Sequence, residues 1–517
     1  MNTINNLQRF VFIIMSLCLS SAFAMASPPP VPEQAPAPSD VVMSEGQVKL
    51  NQGLLNYRAK AGALALNTDD PDEPIATLSY VAYFKSVEKT AKPENRPITF
   101  IYNGGPGSSS VWLHMGGLGP KRVVTSTPDK PVLPPYPVID NAYSLLDVSD
   151  LVFIDAPGTG FGQFISNAAN VQERQAQKRQ KENDTYSING DAHAFAQFIT
   201  QFLSRYQRWN APRYLLGESY GTTRTVALAN RLKVQHNVDV NGIILLSQYL
   251  SKDIDIDRPE SNPGIDQPYY LALPTYAAIA HYYQHSANVA ENLDHFLTEV
   301  EQFSLGPYAQ ALAQGSLLPE SQKAELAEQL ACYTGIPARE WVKADLRVSG
   351  PLFVKQLLTV QGDTVSRTDG RYRGASLDKM AARSDYDPVM TIGSGFISAY
   401  RDYLAKALNV NTVQDYVSDS NAIYYWNMTP ENRSFNLLPA LSETMKMNPR
   451  MKVMVLGGIY DLATPYFVAQ YHLNHLSLPE KLRANLQFNR YESGHLPYLD
   501  EKSLQQLHQD LRNFIAG

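Results

Sequence analysis

Arg213-Tyr214-Leu215-Leu216-Gly217-Glu218-Ser219-Tyr220-Gly221, followed by Thr225-Val226-Ala227-Leu228-Ala229, is the stretch on which the reading of this chain turns. An apolar, strand-like run ends at Gly217, and a run of helical character begins just after Gly221. A G-x-S-x-G set between a strand and a helix predicts a sharp turn in which Ser219 Oγ stands clear of the sheet. The two glycines let neighbouring backbones approach closely, and the Tyr220 amide then faces the oxygen of an attacked carbonyl.

Two later segments supply partners for that serine. Val453-Met454-Val455-Leu456-Gly457-Gly458-Ile459-Tyr460-Asp461 predicts a buried strand ending in a glycine turn that delivers an acid. Leu486-Gln487-Phe488-Asn489-Arg490-Tyr491-Glu492-Ser493-Gly494-His495 predicts a second strand ending in a loop that delivers a histidine. A hydroxyl near neutral pH is a poor nucleophile, so His495 takes its proton during attack and returns it to the leaving group. Asp461 holds the imidazole in the right tautomer and stabilises its cation. Asp155, which also ends a strand-like run, is the rival for the acid. The order Ser219, Asp461, His495 is the one α/β-hydrolases use.

The expected architecture is therefore α/β, an α/β-hydrolase fold with a mostly parallel central sheet and a large helical cap insertion. Val48-Lys49-Leu50 and Tyr80-Val81-Ala82-Tyr83-Phe84 read as antiparallel edge strands leading into that sheet. From the buried strand at Asn241-Gly242-Ile243-Ile244-Leu245-Leu246-Ser247 the chain takes about 200 residues to reach the acid-bearing strand, too many for one crossover connection. The predicted division is a core in two parts, 42–250 and 416–517, interrupted by an insertion over 251–415. Within the insertion, residues 273–285, 293–314, 319–332 and 397–408 carry apolar side chains at helical spacing. An insertion there projects over the C-terminal ends of the strands, as a cap above the triad.

A fourth segment narrows the family. Pro97-Ile98-Thr99-Phe100-Ile101-Tyr102 is a short apolar strand followed by Asn103-Gly104-Gly105-Pro106-Gly107-Ser108-Ser109, and Gly105 is placed to offer a second oxyanion amide. Here the sequence resembles the serine carboxypeptidase family, whose N-G-G-P-G-x-S-S and G-E-S-Y motifs these residues match. Asn141-Ala142-Tyr143-Ser144 and the run from Asp150 to Phe161 resemble that family's next strand and its glycine-rich exit. The likeness covers roughly residues 95–250 and 450–500 and leaves the middle uncovered.

The resemblance implies a serine-type carboxypeptidase acting on peptide substrates. Ser219, Asp461 and His495 fall on the triad, Gly105 and Tyr220 on the oxyanion amides, and Asn103 and Glu218 on residues that hold the substrate's C-terminal carboxylate. Two carboxylates approach only if one is protonated, so a Glu in that role works best in acid. Three positions depart from the family pattern: Gly117, in Met115-Gly116-Gly117-Leu118-Gly119-Pro120, stands where a second clamp glutamate is usual, Ile101 where a tryptophan is, and Ser108 where eukaryotic members have a cysteine. An esterase or acyltransferase of the same fold stays open as an alternative, as does a non-catalytic binding or scaffold protein.

Residues 1–26 read as a secretory signal, with Arg9, an apolar core from Phe10 to Leu19, and a small-residue cleavage site at Ala22-Phe23-Ala24 or Ala24-Met25-Ala26. The expected location is periplasmic or secreted, for a bacterial exported member of the family. Residues 27–41 form a Pro-rich linker. With Cys18 inside the removed segment, Cys332 is left alone and forms no intramolecular disulfide. A net charge of −6 gives no basic footprint for nucleic acid. Beyond residue 26 no apolar run is long enough to cross a bilayer, so no membrane association is expected after cleavage. The charged run 172–181 reads as a solvated surface helix or loop. His281 with His285, and His472 with His475, lack the glutamate of a zinc-protease motif and read as structural or surface residues. Pro157-Gly158-Thr159-Gly160 completes neither a P-loop nor a dinucleotide fingerprint, so neither metal nor cofactor is expected. No motif bears on oligomeric state.

Overall fold

Val42–Leu50 (β1), Gly53–Asn67 (β2) and Pro74–Lys85 (β3) pair antiparallel and form one wing of a nine-stranded sheet. These belong to a computed structural model that describes residues 41–67, 73–86, 95–128, 130, 132–287, 292–384, 386–427 and 434–517. The secretory signal and all but the last residue of the linker lie outside the described residues. β3 is an interior strand rather than an edge, because β2, which the sequence reading did not anticipate, covers its open side. The wing alternates: in β2, Leu55, Tyr57, Ala59 and Ala61 are buried while Leu54, Asn56 and Arg58 are exposed.

The other strands are Ile98–Tyr102 (β4), Asp150–Ile154 (β5), Arg213–Glu218 (β6), Gly242–Leu246 (β7), Lys452–Gly458 (β8) and Leu486–Tyr491 (β9). Sheet order is β1-β2-β3-β5-β4-β6-β7-β8-β9, with every pairing beyond β3–β5 parallel. β4, β5 and β7 are buried along their whole length, which is why they read as unbroken apolar runs.

Successive side chains in these strands serve opposite faces. Phe100, Leu215 and Ile243 join one core, while Ile101, Leu216 and Ile244 join the other. The charged helix Val171–Thr185 (α1) lies almost wholly in solvent. Ile188–Arg205 (α2) and Tyr220–His236 (α3) cover the first face through Phe195, Phe198, Phe202, Leu228 and Leu232. Each such side chain gains about 1.5–3 kcal/mol from burial.

Between β7 and β8 the chain runs through Gln267–Tyr282 (α4), Leu293–Phe303 (α5), Glu320–Thr334 (α6) and shorter turns. Their buried residues, among them Tyr276, Phe296, Leu330 and Trp341, make a third core that closes on Tyr460 and Leu462. Gly393–Lys406 (α7) packs elsewhere, with Phe396, Tyr400 and Tyr403 on the second sheet face beside Trp112 and Glu501–Ala516 (α8). No helix among the described residues is long and apolar enough to cross a membrane.

Candidate active site

β6 runs into α3 through one residue, Ser219, at φ 59° and ψ −129°. A non-glycine residue held there costs on the order of 1–3 kcal/mol and persists only when its surroundings over-determine it. Here Ser219 N donates to Leu246 O at 2.9 Å, and Ser219 O accepts from the amide and hydroxyl of Thr222 at 2.8 and 2.7 Å. A Cβ on Gly217 would fall 2.1 Å from Gly221 O, so the turn admits only glycine at 217. Tyr220 opens α3, where backbone amides have no partner within the helix and the helix dipole is positive.

The loop after β4 backs onto this turn. A Cβ on Gly104 would lie 2.5 Å from Tyr220 N, and that approach sets Gly105 on the wall of the same cavity. Arg224, in a fully buried pair with Asp191 (2.7 Å), donates to Asn103 O at 2.6 Å and ties α3 to the loop. Ser108, at the family's cysteine position, donates to Asp419 at 2.6 Å, and Ser109 N and Ser420 N add backbone bonds to Ser418 O and Gly107 O. Hydrogen bonds thus pin the loop without a disulfide.

Asp461 and His495 arrive from the loops after β8 and β9. His495 Nδ1 and Asp461 Oδ2 are 2.7 Å apart. Asp461 Oδ2 also accepts from the Thr464 hydroxyl at 2.6 Å, while its Oδ1 accepts the amides of Ala463 and Thr464 at 2.8 and 3.0 Å. Burial by itself lowers the His495 pKa; the charge and hydrogen bond of Asp461, with Glu218 further off, outweigh it and raise the pKa above the ordinary value.

Glu218 is buried beside Ser219, and its Oε1 accepts from Asn103 Nδ2 at 2.8 Å. Asn103 Oδ1 accepts from Leu113 N at 3.1 Å, which turns the amide so that its NH2 meets the carboxyl. Burial drives the Glu218 pKa up to about 7, against the opposing effects of His495, Tyr498 and Asn103. Asn103, Gly105, Glu218, Ser219, Tyr220 and His495 line one cavity of about 340 Å³, with Asp461 behind His495. Asp155, by contrast, is sealed among the hydroxyls of Ser79, Ser110 and Tyr416 and the Ser110 amide, away from the histidine.

The structure adds residues that the sequence reading did not single out. Arg367 holds Asp257 through two bonds (2.5 and 2.8 Å), and both line the cavity with Asp255 and Thr368. The segment from Arg367 to Arg371 fastens both polar loops: His495 N donates to Thr368 O (2.7 Å), Leu462 N to Arg367 O (3.0 Å) and Gly494 N to Asp369 Oδ2 (3.1 Å). Tyr498, three residues after His495, packs its ring against Gly116 and Gly117 and sets its hydroxyl near Glu218. No local pattern in the sequence pointed to it, because the glycines it packs on lie nearly 400 residues earlier in the chain.

A mostly parallel sheet, a strained serine between strand and helix, and an acid and a histidine delivered by the last two strands are the features of an α/β-hydrolase. The chain belongs to the serine carboxypeptidase family, whose profile matches residues 78–503. Over 168 residues, 32% of this chain and 23% of the relative, it is 29% identical to a pheromone-processing carboxypeptidase of Yarrowia lipolytica. It is 25% identical to serine carboxypeptidase-like 36 of Arabidopsis thaliana, over 44% of this chain and 41% of that one. These matches span less than half the length of either curated relative. The crystal structure of a prohormone-processing carboxypeptidase from Saccharomyces cerevisiae superposes with a TM-score of 0.52 at 15% identity, covering 88% of this chain and 91% of that one, and so shares the fold.

Proposed function

We propose that the protein is an exported serine-type carboxypeptidase that removes C-terminal residues from peptides through an acyl-enzyme. Ser219 Oγ attacks the scissile carbonyl carbon while His495 Nε2 takes its proton, and the Gly105 and Tyr220 amides receive the oxyanion. The C–N bond then breaks as His495 passes the proton to the leaving amine. A water deprotonated by the same histidine attacks the ester carbonyl, and as the acyl–Oγ bond breaks His495 returns that proton to Ser219 Oγ, releasing the shortened peptide. Asp461 orients the imidazole throughout. The insertion reaches the cavity through Asp255, Asp257, Arg367, Thr368 and Met390 and serves there as its cap, and the N-terminal signal routes the protein to the periplasm or beyond the cell.

One observation carries the choice of carboxypeptidase over general esterase: the hydrogen-bonded pair of Asn103 with Glu218, the residue just before the nucleophile, both lining its cavity. A carboxyl with a pKa of about 7 is protonated in mild acid and then donates to a substrate carboxylate. Activity on free-acid peptides therefore needs Glu218 protonated and His495 neutral, which gives a bell-shaped kcat/KM with pH.

The test compares blocked dipeptides bearing a free C-terminus, the same peptides amidated, and simple acyl esters. Release of one C-terminal residue from the free acid alone supports the reading. Hydrolysis of esters with no preference for the free acid moves the assignment to an esterase or acyltransferase.

A further inference from the structure

Gly116 and Gly117 sit in a π-helical turn, His114–Leu118, and neither has room for a side chain. A Cβ on Gly116 would fall within the Tyr498 ring's contact shell at 2.5 Å from Cε2, and one on Gly117 would meet Tyr498 Cβ at 2.6 Å and Leu504 at 2.7 Å. The phenol occupies that space. Tyr498 is 2% exposed, and its hydroxyl lies against Glu218 and Asn103. Glu218 Oε2 and Tyr498 Oη are both buried and neither has an aligned hydrogen-bond partner, whereas Glu218 Oε1 is engaged by Asn103. Two buried polar atoms left in this state are costly unless one donates a hydrogen bond to the other.

We propose that Tyr498 is a positioning residue for the free-carboxylate site, its hydroxyl holding Glu218 from behind in the space that the glycines at 116 and 117 leave open. The inference rests on the carboxypeptidase reading and adds a residue to it. Asn103 has only N–H to offer Oε1, so the acidic proton of Glu218 resides on Oε2. The phenol donates to Oε2 when the carboxyl is ionised and steadies it when it is protonated, so that one carboxyl with one phenol does what two carboxyls would otherwise share. The other groups around Glu218 are His495 and Asp461 from the loops after β9 and β8, and Asn103 from the loop after β4. None of these reaches Oε2 with an aligned bond.

Tyr498→Phe keeps the ring on the two glycines and removes only the oxygen. Because a donor to the ionised form lowers a carboxyl pKa, its loss moves Glu218 upward. For a free-acid dipeptide the alkaline limb of kcat/KM should shift up by about one pH unit, with KM raised on the order of tenfold at pH 5 and kcat changed much less. The limb for a matched ester should move less. In parallel, the carboxyl C=O stretch of Glu218, assigned by its disappearance in Glu218→Gln, is titrated by infrared spectroscopy in the parent and in Tyr498→Phe. A midpoint displaced upward in the variant supports the proposal, and an unmoved midpoint overturns it whatever substrate the enzyme takes. Failure of the carboxypeptidase reading shows separately, as a parent enzyme indifferent to a free C-terminus. A moved midpoint with unchanged KM and pH limb for the free acid also overturns the positioning role, leaving Tyr498 as an electrostatic neighbour only.

Discussion

β5 and β8 each lead to a buried aspartate beyond the C-terminal end of the strand, and the surroundings of the two differ in kind. Asp155, directly after β5, accepts from the Ser110 amide and hydroxyl at 2.9 and 2.8 Å, from Tyr416 at 2.9 Å and from Ser79 at 2.7 Å. Asp461, beyond β8, also has four donors, but one of them is His495. Counting donors does not separate a structural carboxylate from an orienting one. The presence of a partner that gains charge does, because only there is the carboxylate's charge used differently in two protonation states. Asp155 stitches β3, the turn after the β4 loop and the 416 segment together; Asp461 faces a base that opens into the cavity.

The sharpest way to break this contrast is to remove each function in turn. Ser219→Ala should lower turnover by roughly 10⁴-fold or more and abolish labelling by a fluorophosphonate, with fold retained. Asp461→Asn should cost on the order of 10³–10⁴ in kcat by favouring the wrong tautomer, with little change in Tm. Asp155→Asn should reverse the pattern: stability falls by about 2–4 kcal/mol as the hydroxyl cluster loses its charged acceptor, and turnover of the folded protein stays within about tenfold. Turnover by initial rates and unfolding by denaturant titration read both. An active Asp461→Asn beside a folded but inactive Asp155→Asn would exchange the two assignments.

A smaller effect is expected at the segment that holds the histidine loop. Asp369 accepts from Gly494 N at 3.1 Å and pairs with Arg371 at 2.7 Å, and Arg371 reaches Glu492 O at 3.0 Å and lies over the Tyr460 ring. Asp369→Ala should reduce kcat by about 10–100-fold for peptide and ester alike, since it loosens the loop rather than the substrate. Asp369→Asn, which keeps an acceptor for Gly494 N, should recover most of that loss. Equal rates in parent and Asp369→Ala would show that the other contacts of His495 suffice.

The two halves of the site were unequally legible. Ser219, Gly105 and Tyr220 could be read from the chain because their geometry is local: glycines at fixed offsets, a strand before and a helix after. Asp461 was legible because it follows a buried apolar run, and His495 because it lies in the loop that follows a strand-like one. Asp369, Arg371 and Tyr498 were not, because their roles depend on contacts between segments far apart in sequence, and Thr368-Asp369-Gly370-Arg371 alone reads as an ordinary turn. β2 escaped notice because its inward alternation changes phase between Ala61 and Leu64, so that no single period of two runs through the strand.

Glu218 sharpens the comparison as a third buried carboxyl, with one aligned donor where the two aspartates have four. Left short of donors, it keeps its proton to about pH 7 when folded, while in the unfolded chain it ionises near 4.5. Between those values the folded state binds the additional proton, so rising pH favours unfolding, and stability falls across the window by up to about 3 kcal/mol. Glu218→Gln, neutral at every pH, should therefore match the parent near pH 4 and exceed it in Tm at pH 8, while losing the rise in free-acid peptidase activity that protonation gives the parent. Thermal unfolding of both proteins from pH 4 to 8 measures this directly. Parallel stability profiles would mean that Glu218 finds enough donors to be ionised when folded, and the distinction between a saturated structural carboxylate and an unsaturated substrate-facing one would fail at the residue where it matters most.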